Sequence, residues 1–255
     1  MEEEIRVWRF FLRRAVQRLA TWTIPHLEHA GAGTRSDSSE PCVCAGRVAL
    51  SLLIFMGEIA RRLNVKLEWA DIPFDSLMAA VKAGKIDLAI SAFNYSAERA
   101  LEIDFSDPYY LSEDAWVVTD QFSGTIVAPQ DVRRYRVGVQ SGSTQENWLV
   151  ENLVKPGKLP ETSLFRYERA DQAAEALKNG RIEVWMADNL PAQVFANQLG
   201  NLETVYKGTL SGGPLHIVLR KDDPSLKAEI NRIIQDLESQ GFIKQLALQY
   251  IARIK

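Results

Sequence analysis

The sequence is poor in the groups on which many enzymes and secreted scaffolds are built. Its 255 residues include two cysteines and three histidines. Cys42 and Cys44 are separated by one residue, which strains a mutual disulfide, so no disulfide framework is expected. His26 and His29 stand upstream as H-x-x-H, and the spacing of these four residues fits no common zinc pattern; no metal is expected. G-x-S-x-G, H-E-x-x-H and G-x-x-x-x-G-K-[ST] are all missing, so the usual marks of serine hydrolases, zinc peptidases and phosphate-cradling loops are not there. His216 lies in the apolar run Pro214-Leu215-His216-Ile217-Val218-Leu219 and reads as core. Long apolar runs are missing too. Val48 to Met56 spans nine residues, far short of the ~20 that cross a bilayer, and reads as a buried strand or a helix start. The opening Met1-Glu2-Glu3-Glu4 lacks the basic and apolar regions of a secretory signal. Neither a signal peptide nor a membrane anchor is expected. A basic surplus is also lacking: 30 Lys and Arg face 33 Asp and Glu, for a net charge of −3. That argues against a dedicated nucleic-acid binder. Lysine is absent before Lys66, although nine arginines precede it, so the first ~50 residues differ in kind from the rest.

What is present suffices for a core. Hydrophobic residues make up 46% and charged residues 25%, and the length allows one large domain or two lobes of roughly 100 residues each. From Ile54 onward the patterning is regular. Ile54 to Leu63 reads as an amphipathic helix closed by Asn64. Val65 to Trp69 alternates as a strand. Asp75 to Ala83 reads as a helix stopped by Gly84, followed by a strand over Ile86 to Ile90. Further strands are expected at Trp116-Val117-Val118 and Arg136 to Val139. Asp223 and Pro224 open a helix with Ile230, Ile233, Ile234 and Leu237 on its apolar face. Gly241 stops it, and a last helix runs from Phe242 to Ile251. Alternating strands and helices predict an α/β fold with mainly parallel sheets.

An internal echo adds to this. Val81-Lys-Ala-Gly84-Lys85-Ile86-Asp87-Leu88 returns as Leu177-Lys-Asn-Gly180-Arg181-Ile182-Glu183-Val184, 96 residues later. Its extent favours two similar lobes. Ligands of α/β sheets bind beyond the carboxyl ends of the strands, here Ser91-Ala92 and Ala187-Asp188, which places a cleft between the lobes.

Four groups of residues could carry chemistry there. Ser91 to Arg99 offers a loop ending in a guanidinium suited to a carboxylate; the plain alternative is a solvated Arg99 paired with Glu98 or Glu102. Ser143 and Glu146 form a capping box after a Gly-bearing turn, which is either an anion site or a cap alone. Asp188 suits a ligand ammonium, or caps the segment from Asn189. Among Trp69, Phe74, Phe93, Tyr95, Tyr109 and Tyr110, Phe74 and Tyr95 are favoured for stacking on a ligand. A carboxylate clamp and an ammonium clamp with no nucleophile fit recognition of a zwitterion better than turnover.

Phe74-Asp75-x-Leu77, Gly84-Lys85-Ile86-Asp87-Leu88, Ser96-x-Glu98-Arg99, Asp104-Phe105-Ser106-x-Pro108-Tyr109, Val137-Gly138-Val139-x-x-Gly142-Ser143-Thr144 and Gly180-Arg181-Ile182-Glu183 occur in one order. Together they resemble the polar amino-acid-binding proteins of bacterial ABC importers, the family-3 solute-binding proteins, from about Ile54 to the C-terminus. The resemblance implies a two-lobed periplasmic-binding-protein type II architecture with two hinge strands. Lobe 1 would comprise 54–118 and 212–255, and lobe 2 would comprise 119–211. Arg99 would grip the ligand carboxylate, Ser143 and Thr144 would assist, and Asp188 would take the ammonium. Ala92 and Asn94 would add hydrogen bonds, and Phe74 would stack on the ligand side chain. No cofactor and no catalytic residue are implied. The partners would be an amino-acid ligand and the membrane permease of the importer, with no nucleic acid, and the protein would be a monomer in the periplasm or at the cell surface. A cyclohexadienyl-dehydratase-like enzyme on the same scaffold, or the sensing domain of a receptor, are the alternatives. The chain departs from the family at Ala92 and Asn94, where Gly and then Thr or Ser are usual. It also departs over residues 1–53, where the segments that open lobe 1 are missing. These residues are expected to be a frameshifted or disrupted start of lobe 1, with Ile5-Arg6-Val7 as a remnant strand, or else a divergent extension that is helical from Arg9 to Ala20.

Overall fold

The apolar run before Met56 folds as a helix. In the computed structural model, which describes residues 19–21 and 47–251, helix α1 (Arg47–Leu63) contains it. Leu52, Phe55, Met56, Ile59 and Leu63 are buried along one side, at the spacing that makes a helical stripe. Glu58 faces outward and holds Arg61 and Arg62, each at 2.7 Å. Asn64 ends the helix at φ 55°, a left-handed conformation that Asn tolerates better than most side chains.

Two five-stranded sheets form the frame. The first has the order β2 (Trp69–Asp71), β1 (Leu19–Thr21), β3 (Leu88–Asn94), β10 (Pro214–Leu219) and β4 (Asp104–Leu111). The second has the order β7 (Leu164–Tyr167), β6 (Val137–Gln140), β8 (Val184–Asp188), β5 (Asp114–Thr119) and β9 (Leu202–Gly208). Each is mixed rather than mainly parallel: β1, β2 and β3 run parallel, as do β6, β7 and β8, while β10 and β5 enter antiparallel. The chain leaves the first sheet after Leu111 and pairs in the second from Asp114, so the change of sheet precedes the boundary expected at Val118. It returns between Gly208 and Pro214.

Both faces of each sheet are covered. In the first, Leu88, Ile90, Leu215 and Ile217 pack against α1 and α6 (Pro224–Ser239), while Ala89, Phe93 and Val218 face α2 (Phe74–Lys82). The expected cap of α6 forms, with the Asp223 carboxylate accepting from the Leu226 amide at 3.0 Å. Its buried Leu226, Ile230, Ile233, Ile234 and Leu237 contribute about 10 kcal/mol of apolar transfer free energy. Gly241, at φ 69°, turns the chain into α7 (Phe242–Leu246). In the second sheet, Ala115, Val117, Trp185 and Ala187 meet α4 (Ala170–Lys178) and α5 (Asn189–Leu199). Trp116, Val139 and Met186 meet Leu149 of α3 (Thr144–Leu149) and Leu153.

The echo is structural. Gly84 and Gly180 adopt φ 66° and 68°, and each closes a helix (α2, α4) before β3 or β8. Three expected segments shift. Among the described residues the strand expected from Val65 pairs over Trp69–Asp71, against Leu19–Thr21. The strand expected at Ile86–Ile90 lies at Leu88–Asn94, since β10 pairs as far as Asn94. Ala20 belongs to a strand, not to a helix, and Leu19–Thr21 sits between β2 and β3 with a parallel ladder on each side. The atypical start therefore contributes to the first sheet. Ile5 to Val7, His26, His29, Cys42 and Cys44 lie outside the described residues. Among the described residues no cluster could hold a metal ion, and no helix is long and apolar enough to cross a membrane.

Candidate functional site

The carboxyl ends of β3 and β8 face a common cleft. Leu52, Phe74, Ser91, Ala92, Asn94, Arg99 and Tyr109 line it from the first sheet and its helices. Gln140, Ser143, Thr144, Gln145, Asp188 and Leu190 are among those lining it from the second. All seven residues expected at a ligand site are therefore brought together.

Arg99 sits in a short 3-10 turn after β3. Arg99 is 7% exposed, and its guanidinium makes no ion pair among the described residues; Glu102 pairs with Lys82 instead. Nη1 donates to the Asn94 carbonyl at 3.1 Å, and Nη2 donates across the cleft to the Gly142 carbonyl at 2.7 Å. Cζ lies 5.8 Å from the Phe74 ring centre and 5.9 Å from that of Phe93. These rings stack on each other at 4.8 Å, so Phe74 forms part of the cradle that orients the cation. Desolvation pushes the guanidinium pKa down, and the charge of Glu98 opposes that effect. A buried cation with unspent N–H donors is a receptor for a carboxylate.

The opposite wall is the first turn of α3. Ser143 Oγ accepts from the Glu146 amide at 3.1 Å and donates to the Gln140 carbonyl at 2.7 Å. The expected capping box is displaced by one residue, because the Glu146 carboxylate accepts from the Gly142 amide at 2.7 Å. Thr144 Oγ1 reaches Asn94 Oδ1 on the other wall at 3.1 Å. Gly142, at φ 72°, approaches Asp75 so closely that a Cβ on it would lie 3.1 Å from the Asp75 Cβ. The two walls thus touch at three points beside the cleft.

Asp188 ends β8 and caps α5. Its Oδ1 accepts from the Leu190 amide at 3.2 Å and from the Ser112 hydroxyl. Oδ2 is buried without a well-formed hydrogen bond among the described residues, although the Asn94 side chain lies near the carboxylate. Burial raises its pKa from 3.8 to about 7, and the nearby charge of Asp114 adds to the rise; Ser112, Leu190 and Asn94 oppose it. An unpaired acceptor in this position calls for a donor, preferably a cationic one. The Tyr109 hydroxyl, near the Ala92 backbone, is also buried without a well-formed hydrogen bond. Burial and the charge of Asp188 push its pKa up. Ala92 itself holds φ 51°, a conformation in which glycine is at ease and alanine is strained.

Tyr95, favoured for stacking, is 57% exposed and packs on Phe105 outside the cleft. His216 is part of the first sheet as expected, with Nδ1 2.8 Å from the Ser106 carbonyl. Leu52, Tyr109, Gln140, Gln145 and Leu190 line the cleft without having been singled out. Tyr109 carried a signal as one aromatic among six, and Gln140 and Gln145 as the flanks of the Gly-bearing turn around Ser143.

The model of the bacterial extracellular solute-binding proteins, family 3, matches residues 54–253. A probable histidine-binding protein of Campylobacter jejuni is 28% identical over 194 residues, covering 76% of this chain and 73% of its own. The lysine/arginine/ornithine-binding periplasmic protein of Escherichia coli is 28% identical over 202 residues, covering 76% and 75%. Among solved structures, an ancestral arginine-binding protein bound to arginine superposes with a TM-score of 0.76 at 26% identity, over 94% of this chain and 99% of its own. An ancestral amino acid-binding protein that is a precursor of cyclohexadienyl dehydratase shares the fold, with a TM-score of 0.73 at 22% identity.

Proposed function

The chain belongs to the bacterial extracellular solute-binding proteins of family 3, and on that premise we propose that it captures a free polar amino acid in the cleft and presents it to the permease of an ABC importer. The observation that carries this reading is the pairing of two buried, uncompensated groups of opposite character on facing walls, the Arg99 guanidinium and Asp188 Oδ2. An α-amino acid supplies a carboxylate to the first and an ammonium to the second. In this reading the Thr144 hydroxyl and the amides of its turn assist at the carboxylate, Ala92 and Asn94 add hydrogen bonds, and the Phe74 face borders the ligand side chain. Two lobes close on the ligand about the crossovers at 112–113 and 209–213. The protein acts as a monomer, in the periplasm or at the cell surface, and does no chemistry on its ligand. Each charge-assisted hydrogen bond contributes roughly 1.5–3 kcal/mol. Two such clamps with closure are of the size needed for micromolar binding, about −8 kcal/mol.

Calorimetry with a panel of amino acids tests this, alongside a turnover assay with prephenate and arogenate. Saturable one-to-one binding without turnover supports capture, and failure of every amino acid to bind refutes it. Dehydration of either cyclic substrate would favour the second reading, an enzyme using Asp188 as acid, for which its pKa near 7 is suited.

A further inference from the structure

Asp114 opens β5 directly opposite Asp188 in the ladder and is 1% exposed. Its carboxylate is saturated. Oδ2 accepts from three successive backbone amides, Leu210 at 2.8 Å and Ser211 and Gly212 at 2.7 Å. Oδ1 accepts from Ser211 Oγ at 3.0 Å and from Gln145 Nε2 at 2.9 Å. Four of these five bonds come from the crossover that returns the chain to the first sheet. The fifth comes from the first turn of α3, next to Thr144. The crossover can wrap so tightly because residue 212 is glycine: a Cβ there would lie 3.0 Å from Asp114 Oδ1.

Among the described residues no cation pairs with this carboxylate. Its charge is held by oriented N–H groups, an arrangement that is costly to loosen because each lost donor leaves buried charge uncompensated. The carboxylate therefore makes one rigid body of three pieces: the start of β5, the returning crossover and the helix that forms the second wall. The cross-cleft bonds of Gly142 and Thr144 lie within three residues of Gln145. Any displacement of the crossover is thus transmitted to the wall that meets Arg99 and Asn94. We propose that Asp114 is a positioning residue for closure, coupling the angle at the returning crossover to the placement of the Ser143–Thr144 wall. The proposal rests on the capture function above; Asp114 itself touches no ligand.

The test is Asp114→Asn in the full chain, which keeps the side-chain size and replaces an acceptor oxygen with a donor. Amide hydrogen exchange is followed without ligand, and dissociation of the tightest-binding amino acid is followed with it. The expected result is faster exchange at both 210–212 and 143–147, with dissociation accelerated about tenfold or more and association little changed. Exchange confined to 210–212, or an unchanged dissociation rate beside a lowered unfolding midpoint, would make Asp114 merely structural and overturn the proposal. If the variant does not fold, Gln145→Met cuts the same link from the other end. It should speed exchange at 210–212, and no change there overturns the coupling. If the parent chain binds no amino acid, the capture reading fails, while the exchange comparison still decides the role of Asp114.

Discussion

Asp188 sets stability against binding, and Asp188→Asn separates the two. The carboxyl titrates near 3.8 when unfolded and near 7 in the folded, ligand-free protein. Between these values the native state holds a proton that the unfolded state has released. The free energy of unfolding therefore falls as pH rises through this window and levels off above about pH 7. At about 1.4 kcal/mol for each tenfold change in proton affinity, the whole fall is about 4 kcal/mol. Asparagine keeps an acceptor for the Ser112 hydroxyl and the Leu190 amide but cannot ionise. Between pH 5 and pH 8 the variant should gain about 2.7 kcal/mol on the parent, the part of the fall that lies in that range. Binding should move in the opposite direction. A ligand ammonium needs the ionised form, so parent affinity should weaken as pH falls below 7, approaching tenfold per pH unit. The asparagine variant should bind about 10–100-fold more weakly at pH 8. Urea unfolding of both proteins from pH 5 to 8, with calorimetry under the same conditions, provides the measurement. Parallel stability curves for the two proteins, or undiminished affinity in the variant, would refute the assignment of Asp188 as the ammonium acceptor.

Three further outcomes are expected. Arg99→Lys keeps the charge but loses the planar fork that reaches Asn94 and Gly142 together. Calorimetry should show affinity lower by about tenfold or more, and undiminished binding would remove Arg99 from the site. Gly142→Ala places a methyl 3.1 Å from the Asp75 Cβ at φ 72°. It should weaken binding several-fold through incomplete closure while costing about 1 kcal/mol of stability; an unchanged dissociation constant would show that the walls need not meet. Ala92→Gly relieves the left-handed backbone at φ 51° and should raise the melting temperature by about 2–4 °C, whereas a fall in a calorimetric scan would mean that the alanine is not strained.

Features that depend on a few neighbouring residues were legible in the sequence. Asp223 and Pro224 announced α6, and Gly84 and Gly180 announced the ends of two equivalent helices. Ser143 announced the cap of α3, because each needs only the backbone amides or the turn geometry next to it. The echo then located the end of β8 and with it Asp188, whereas β3 runs on to Asn94 and holds Ala92 within the strand. Features that depend on a partner distant in the chain were not legible. Composition set the lysine-free start apart, yet Leu19–Thr21 lies inside the first sheet, since three residues become a strand when two parallel neighbours offer them hydrogen bonds. Trp116 to Val118 read as a strand, but nothing local said that it would pair with β8 and β9 and so move the change of sheet to residue 112. Arg99 was recognisable as a cation suited to a carboxylate. That it is buried beside two stacked phenyl rings and bonded to the opposite wall follows only from the assembled cleft. By itself, the sequence determined the helix ends that caps and glycines mark and which chemistry the cleft would offer. The tertiary structure decided which groups are left without partners there, because desolvation and hydrogen-bond satisfaction depend on everything packed around an atom rather than on its neighbours in the chain.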